Sequence, residues 1–244
     1  MTIRQHTVAL VTGASRGLGL EIARAYAAHG YGLILTARSH GPLDAAGREL
    51  AGVTDVLAIP GDVAEADHAE ALVKAGLDRF GHIDVLVNNA SELGPSPMPP
   101  LEYFPREALR TVLNVNLIVP LHLTQLVLPE MKRRGHGIII NVTSDAGVEA
   151  YPGWGGYGAS KAALEHLSRT LSAELEGTGI MVYVVDPGDM DTQMHRDAEP
   201  GVDLSDLPRP EVPAPAFLHL VESGRPSGRF KALDLIEEMQ HARA

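Results

Sequence analysis

Short apolar runs rich in β-branched residues recur along the chain, at residues 7–12, 32–37, 55–59, 84–88, 137–143 and 181–185. Their length and their Val, Ile and Thr content predict strands, and consecutive apolar positions predict strands covered on both faces. Between them lie stretches whose apolar residues repeat at helical spacing, at residues 17–29, 64–80, 106–134 and 157–175. Alternation of this kind predicts an α/β fold of Rossmann type, a doubly wound parallel sheet in three α/β/α layers. Ligands bind such a sheet beyond the C-terminal ends of its strands, so chemistry is expected there.

Two proline-rich stretches break the rhythm. Residues 94–105 hold Pro95, Pro97, Pro99, Pro100 and Pro105, and residues 200–215 hold prolines at 200, 208, 210, 213 and 215. Each follows a strand end, which predicts substrate-site loops near 91–105 and 189–215. The length of 244 residues suits one large α/β domain, 1–244, and 45% hydrophobic with 21% charged residues is a globular composition.

Charge and residue usage then remove several classes of function. The net charge is −11 and the one basic cluster, Lys132-Arg133-Arg134, precedes Gly135 at a predicted helix end, so no nucleic-acid partner is expected. Residues 1–6 lead into the first strand without the apolar core of a signal peptide, and no later stretch is expected to reach membrane-spanning length; the expected location is cytoplasmic, with no membrane partner. The chain has no cysteine, which excludes disulfides and thiolate chemistry. Its 11 histidines are scattered without paired ligand spacing, so no metal site is expected; His195 is the one nearest the expected pocket.

The first predicted strand ends in Thr12-Gly13-Ala14-Ser15-Arg16-Gly17-Leu18-Gly19, where a helix begins. Glycines there let the backbone turn tightly and approach a pyrophosphate, whose charge then sits at the helix N-terminus. The same residues also fit Gly-x-Ser-x-Gly, the strand-turn-helix elbow of a serine hydrolase with Ser15 as nucleophile. Further along stand Asp62-Val63, Asn88-Asn89-Ala90, Asn116 in a helix, Ser144 at a strand end, Tyr157 and Lys161 at a helix start, and Pro187-Gly188 followed by Thr192.

In this order and at these intervals, from residue 8 to 192, the sequence resembles the short-chain dehydrogenase/reductase family, in its branch of about 250 residues. The resemblance implies an oxidoreductase that moves hydride between NADP(H) and a carbonyl or alcohol substrate, most simply a ketone or aldehyde reductase. Its catalytic residues would be Asn116, Ser144, Tyr157 and Lys161: Tyr157 as general acid/base, Ser144 bonded to the substrate oxygen, and Asn116 holding a water that links Lys161 to solvent. The cofactor would lie along Gly13, Ser15, Arg16, Gly17, Leu18, Gly19, Asn89 and Ala90, with Asp62 and Val63 at the adenine. Tyr157, Lys161, Pro187, Gly188 and Thr192 would meet the nicotinamide half. A homodimer or homotetramer is expected, and a catalytically retired NADPH-binding protein is the other reading of the same residues.

Physical chemistry supports the tyrosine–lysine pair independently. Residues four apart share a helix face. An ammonium about 5 Å from a phenol that titrates near ~10 would favour the phenolate by roughly 3 kcal/mol, drawing Tyr157 toward neutrality. At the end of the second strand, where an NAD-selective site carries a carboxylate, this chain has Arg38 and no carboxylate, and the family resemblance implies that Arg16 and Arg38 flank the adenosine ribose where a 2′-phosphate would lie. Three features depart from the family pattern: Ser91 replaces the usual glycine after Asn-Asn-Ala, Asp145 follows Ser144, and residues 227–239 lack the usual glycine-rich ending. Leu93, Met98, Val148, Tyr151, Trp154, Met190 and Met194 are expected to make the pocket apolar, with Glu92, Asp145, Glu149 and Asp189 disfavouring an anionic substrate.

Overall fold

The computed structural model describes residues 7–242; the lead-in at 1–6 lies outside the described residues. Seven strands form one parallel sheet: β1 (Val8–Thr12), β2 (Gly32–Thr36), β3 (Val56–Ala58), β4 (Val85–Asn88), β5 (Gly137–Val142), β6 (Ile180–Asp186) and β7 (Gly228–Lys231). Their order is β3-β2-β1-β4-β5-β6-β7, so the direction of winding reverses between β1 and β4. Every strand pairing is parallel, with Val11 opposite Leu35 on one side and Val87 on the other.

Alternate strand residues feed two separate cores, as the period of two requires. Val11, Leu35, Val87, Ile140 and Val185 pack with Ile22 and Tyr26 of α1 (Gly17–Ala28), Leu43 of α2 (His40–Ala51), Phe217 of α8 (Ala214–Ser223) and Leu235 of α9 (Ala232–His241). Leu10, Ile34, Leu86, Ile139 and Val182 pack on the other face with α3 (Ala66–Phe80), α5 (Val119–Arg134) and α6 (Gly155–Glu174). The expected three-layer Rossmann-type architecture is therefore what forms.

Two expectations need correction. The segment 106–134 is not one regular helix: α4 (Arg106–Leu113) and α5 are joined by a π-helical turn at Asn114–Ile118. The segment Arg106–Arg134 is also long and apolar enough, by length and composition, to cross a membrane, contrary to the reading of the sequence. Here Val119, Leu123, Val127 and Met131 of that segment pack into the core instead. As expected, α5 ends on Lys132, Arg133 and Arg134 with Gly135 in the left-handed region, φ +68°.

The sequence reading missed α2, α7 (Gln193–Ala198), α8, β7 and α9. In α2, Gly41, Pro42 and Gly47 hide an apolar stripe of Leu43, Ala46 and Leu50. In α8, the last prolines of the presumed loop prove to be Pro213 just before the helix and Pro215 in its first turn, where no backbone N–H is required.

Candidate active site

The reversal between β1 and β4 opens a cavity of about 860 Å³ beyond the C-terminal strand ends. Thr12 ties the two strands together there: its Oγ1 accepts from the backbone N–H of Asn89 (3.0 Å) and of Ala90 (2.9 Å), and Asn89 Nδ2 donates back to Thr12 O (2.9 Å). Gly13 turns under this clasp at φ +68°, where a Cβ would come within 2.8 Å of Asn89 Nδ2. At Gly17, φ +58°, a Cβ would meet nothing within 4 Å, and the residue borders the cavity.

Helix α1 starts at Gly17 with no side chain capping it and no acidic residue in its first turn. Its free N–H groups and partial positive charge therefore face the cavity, an arrangement that fits a pyrophosphate. All the expected cofactor residues border the cavity except Gly19. A Cβ at Gly19 would lie 2.5 Å from Gly13 O and from Asn89 Nδ2, so its part is to let α1 rest on the glycine turn. At the far end, Asp62 Oδ1 accepts from the Ala64 N–H (2.9 Å) and Val63 is buried. Arg16 and Arg38 border the same end; the Arg38 side chain is 65% exposed, and its Nη2 stands 3.6 Å from Glu92 Oε2. His68, unforeseen from the sequence, bonds Thr36 Oγ1 (2.9 Å) beneath this end, and burial lowers its imidazole below the ordinary value.

At the other end, Tyr157 and Lys161 stand one turn apart on α6, 8% and 2% exposed. Lys161 Nζ donates to Val142 O (2.9 Å) and lies 5.4 Å from the centroid of the Tyr157 ring. The separation is as expected, but the effect on the phenol is not: burial pushes Tyr157 well up, partly opposed by a hydrogen bond from Ser91. Burial also lowers Lys161 to about 8. Pair spacing shows the attraction between the two groups, whereas the cost of removing both from water depends on the whole wall around them.

Ser144 begins a short 3₁₀ turn, Asp145–Gly147; its Oγ accepts from the Ala146 N–H (3.2 Å) and donates to Asp145 Oδ1 (3.0 Å). The hydroxyl of Tyr151 donates to Asp145 Oδ2 (2.8 Å), and that bond raises the Tyr151 phenol. The carboxylate beside Ser144 is thus tied from both sides.

The π-helical turn carries Asn116 into the interior behind the cavity wall. Its Nδ2 donates to Glu92 O (2.8 Å) and Ser160 Oγ (2.9 Å), while Oδ1 accepts from the Glu92 N–H (2.8 Å) and Ser91 Oγ (3.1 Å). Both amide hydrogens and both oxygen lone pairs are engaged with protein groups, so any water that Asn116 holds for Lys161 would have to be bound through its backbone carbonyl rather than this amide. The side chain fastens the segment after Asn89 to α6.

On the substrate side, Leu93, Trp154, Met190, Met194 and His195 border the cavity. Trp154 meets Tyr157 edge-on at 5.7 Å and His195 at 6.3 Å. Met98 packs behind this wall, and Val148 and Tyr151 face solvent rather than the cavity. Of the four acidic residues expected near the pocket, Glu92 and Asp189 border it and Asp145 and Glu149 do not, and burial raises the Asp189 carboxyl. The two loops join where Ser96 Oγ donates to Asp197 O (2.5 Å). No histidine or carboxylate is bonded to Ser15 among the described residues, so the hydrolase elbow lacks its partners.

Comparison with known proteins gives the same picture. The family profile described as short chain dehydrogenase matches residues 7–203. A 3-oxoacyl-[acyl-carrier-protein] reductase from Synechocystis sp. is 38% identical over 213 residues, covering 86% of this chain and 85% of that protein. A 2-(R)-hydroxypropyl-CoM dehydrogenase from Xanthobacter autotrophicus is 36% identical over 189 residues, 77% of this chain and 76% of that one. Among solved structures, an alcohol dehydrogenase from Thermococcus sibiricus complexed with 5-hydroxy-NADP superposes with a TM-score of 0.83 at 32% identity, covering 93% and 95% of the two chains.

Proposed function

Because the chain belongs to the short-chain dehydrogenase family and is an oxidoreductase of it, we propose that it transfers hydride between NADP(H) and a carbonyl or alcohol substrate, reducing a ketone or aldehyde with Tyr157 as the proton donor. The observation that carries this reading is the buried Tyr157–Lys161 pair, with Ser144, at the end of a cavity whose other end is the open glycine turn. When bound, the nicotinamide gives or takes the hydride and, in its oxidised form, brings positive charge beside the phenol.

The residues of the chain do the remaining work. Tyr157 gives its proton to the oxygen of the carbonyl as that oxygen gains charge, and a protonated phenol is the form that burial favours. Lys161 spends one N–H on Val142 O, which fixes the ammonium beside the phenol and leaves two donors for the cofactor ribose. Ser144 can offer its hydrogen to the substrate oxygen by turning it away from Asp145. Trp154, Leu93, Met190 and Met194 exclude water from the reacting end and suit an apolar carbonyl compound.

The NADP choice rests on Arg16 and Arg38, which stand where a 2′-phosphate would lie. A charge-assisted hydrogen bond contributes about 1.5 to 3 kcal/mol, so one good arginine contact would favour NADPH over NADH by roughly ten- to a hundredfold. The test is a screen of ketones and aldehydes with NADPH, followed by nicotinamide absorbance, together with dissociation constants of both cofactors for wild type and for Arg16→Ala with Arg38→Ala. Equal affinities in wild type, or a preference that survives the double change, would refute the assignment of cofactor choice to these arginines.

A further inference from the structure

The one hydrogen on the Ser144 hydroxyl is held by a carboxylate. Ser144 Oγ donates to Asp145 Oδ1 (3.0 Å) and accepts from the Ala146 N–H (3.2 Å), which leaves it one lone pair and no hydrogen for a substrate. Tyr151 donates its hydroxyl to the other carboxylate oxygen, Asp145 Oδ2 (2.8 Å). Ser144 borders the cavity, whereas Asp145 and Tyr151 do not. Their hydrogen bonds lead to the reacting end through Ser144. The carboxylate is also one of the points at which the chain departs from the family pattern, and the proposed reaction gives it no task.

A carbonyl oxygen can only accept, so it competes with Asp145 for the Ser144 hydrogen. A neutral carbonyl is the weaker acceptor of the two, because a hydrogen bond to an ionised group is roughly twice as strong as one between neutral groups. In the ground state the hydrogen therefore stays on Asp145. As hydride reaches the carbonyl carbon, the substrate oxygen gains negative charge and matches the carboxylate, and the hydroxyl can turn from one anion to the other. Ser144 then bonds the transition state and not the ground state. Tyr151 tempers the hold, since its hydrogen bond to Oδ2 draws charge away from the oxygen that Ser144 uses.

We propose that Asp145 is a positioning residue that keeps the Ser144 hydrogen from the substrate until charge develops on the substrate oxygen, with Tyr151 setting the strength of that hold. The inference rests on the proposed carbonyl reduction. Its consequence is that weakening the hold improves the enzyme. An amide in place of the carboxylate is a neutral acceptor toward Ser144, or a donor to it, and a methyl group is neither. Both leave the Ser144 hydrogen for the carbonyl from the moment of binding.

The probe is the ketone or aldehyde that wild type reduces fastest with NADPH in the screen described above. Initial rates give kcat and KM for wild type, Asp145→Asn, Asp145→Ala, Tyr151→Phe, and Asp145→Ala combined with Tyr151→Phe. Expected in both Asp145 variants is a rise in kcat/KM of roughly three- to tenfold with a lower KM, and in Tyr151→Phe a fall of roughly threefold with a higher KM. The combined variant should behave as Asp145→Ala alone, and NADPH affinity should be the same in all five proteins. A purely structural role would lower kcat/KM in every variant. Unchanged or lower kcat/KM in both Asp145 variants, or a Tyr151→Phe effect that persists in the Asp145→Ala background, overturns the role of Asp145 while leaving the proposed reaction intact. A wild-type protein that reduces no carbonyl compound in the screen overturns the reaction itself and this inference with it.

Discussion

Lys161 sits at 2% exposure with its ammonium drawn down to about 8, far below the ~10.4 of a free lysine. Below pH 8 the group is protonated folded and unfolded, and the full cost of burying its charge is present. As pH rises from 8 toward ~10 the folded form releases its proton first, so that cost fades. Lys161→Met is therefore expected to be more stable than wild type near neutrality, by on the order of 2 kcal/mol after losing the bond to Val142 O, with the gap closing toward about pH 10. Urea midpoints of the two proteins across that range check this; a gap independent of pH would contradict it. Tyr157→Phe keeps the ring against Trp154 and removes the proton, so turnover should fall by about 10² to 10⁴ while NADPH affinity holds, read from initial rates and binding titrations. Glu92→Gln removes the carboxylate beside Arg38 and should tighten NADPH several-fold without changing NADH. An equal change for both cofactors would count against Arg38 as the phosphate contact.

Among the elements, β7 has a reach that its four residues conceal. Arg229 Nε donates to Glu165 Oε1 of α6 (3.0 Å), and its Nη2 to Asp186 Oδ2 at the end of β6 (3.0 Å). Asp186 Oδ1 in turn accepts from the Gly188 N–H (3.0 Å), so the last strand steadies the Pro187-Gly188 segment of the site. Arg229→Ala would take the bridging cation from two nearly buried carboxylates, leaving Glu165 with Thr143 Oγ1 (2.8 Å) and Arg169 (3.8 Å) and Asp186 with the Gly188 N–H; with the arginine 28% exposed, a loss of about 1 to 2 kcal/mol is expected in denaturant unfolding, with weaker NADPH binding alongside. None of this was legible in Gly228-Arg229-Phe230-Lys231, which alternates like a solvated turn. The π-helical turn was equally hidden, because Asn114-Val115-Asn116-Leu117-Ile118 fits either helical phase and only packing chooses. The central strands and the glycine turn were legible because their signals are local in sequence. Thr12, Glu92 and Ser160, which hold the site's polar groups in place, were not, since their partners lie 24 to 78 residues away and no spacing rule links them.

In the whole molecule, the cavity lies where the sheet changes direction, so a bound dinucleotide would contact the β1–β2–β3 half and the β4–β5–β6 half together. Binding only to the folded state then stabilises both. NADPH at a hundred times its dissociation constant contributes about 2.7 kcal/mol, which for a chain of this size raises the unfolding midpoint by roughly 5 to 10 °C. NADH at the same concentration should raise it less, and differential scanning calorimetry distinguishes the two; equal shifts would argue against two arginines setting the choice.

A parallel sheet of this kind also ends twice, at β3 and at β7. Each end presents backbone groups on which a strand of another molecule could template itself. β3 has three residues and Pro60 follows soon after, while β7 places Arg229 and Lys231 on its exposed positions. Shortness protects one end and charge the other. Replacing Lys231 with valine would leave the cavity untouched and give the second end an apolar, β-prone run, and the expected result is precipitation on concentration or gentle heating, visible as light scattering that wild type lacks.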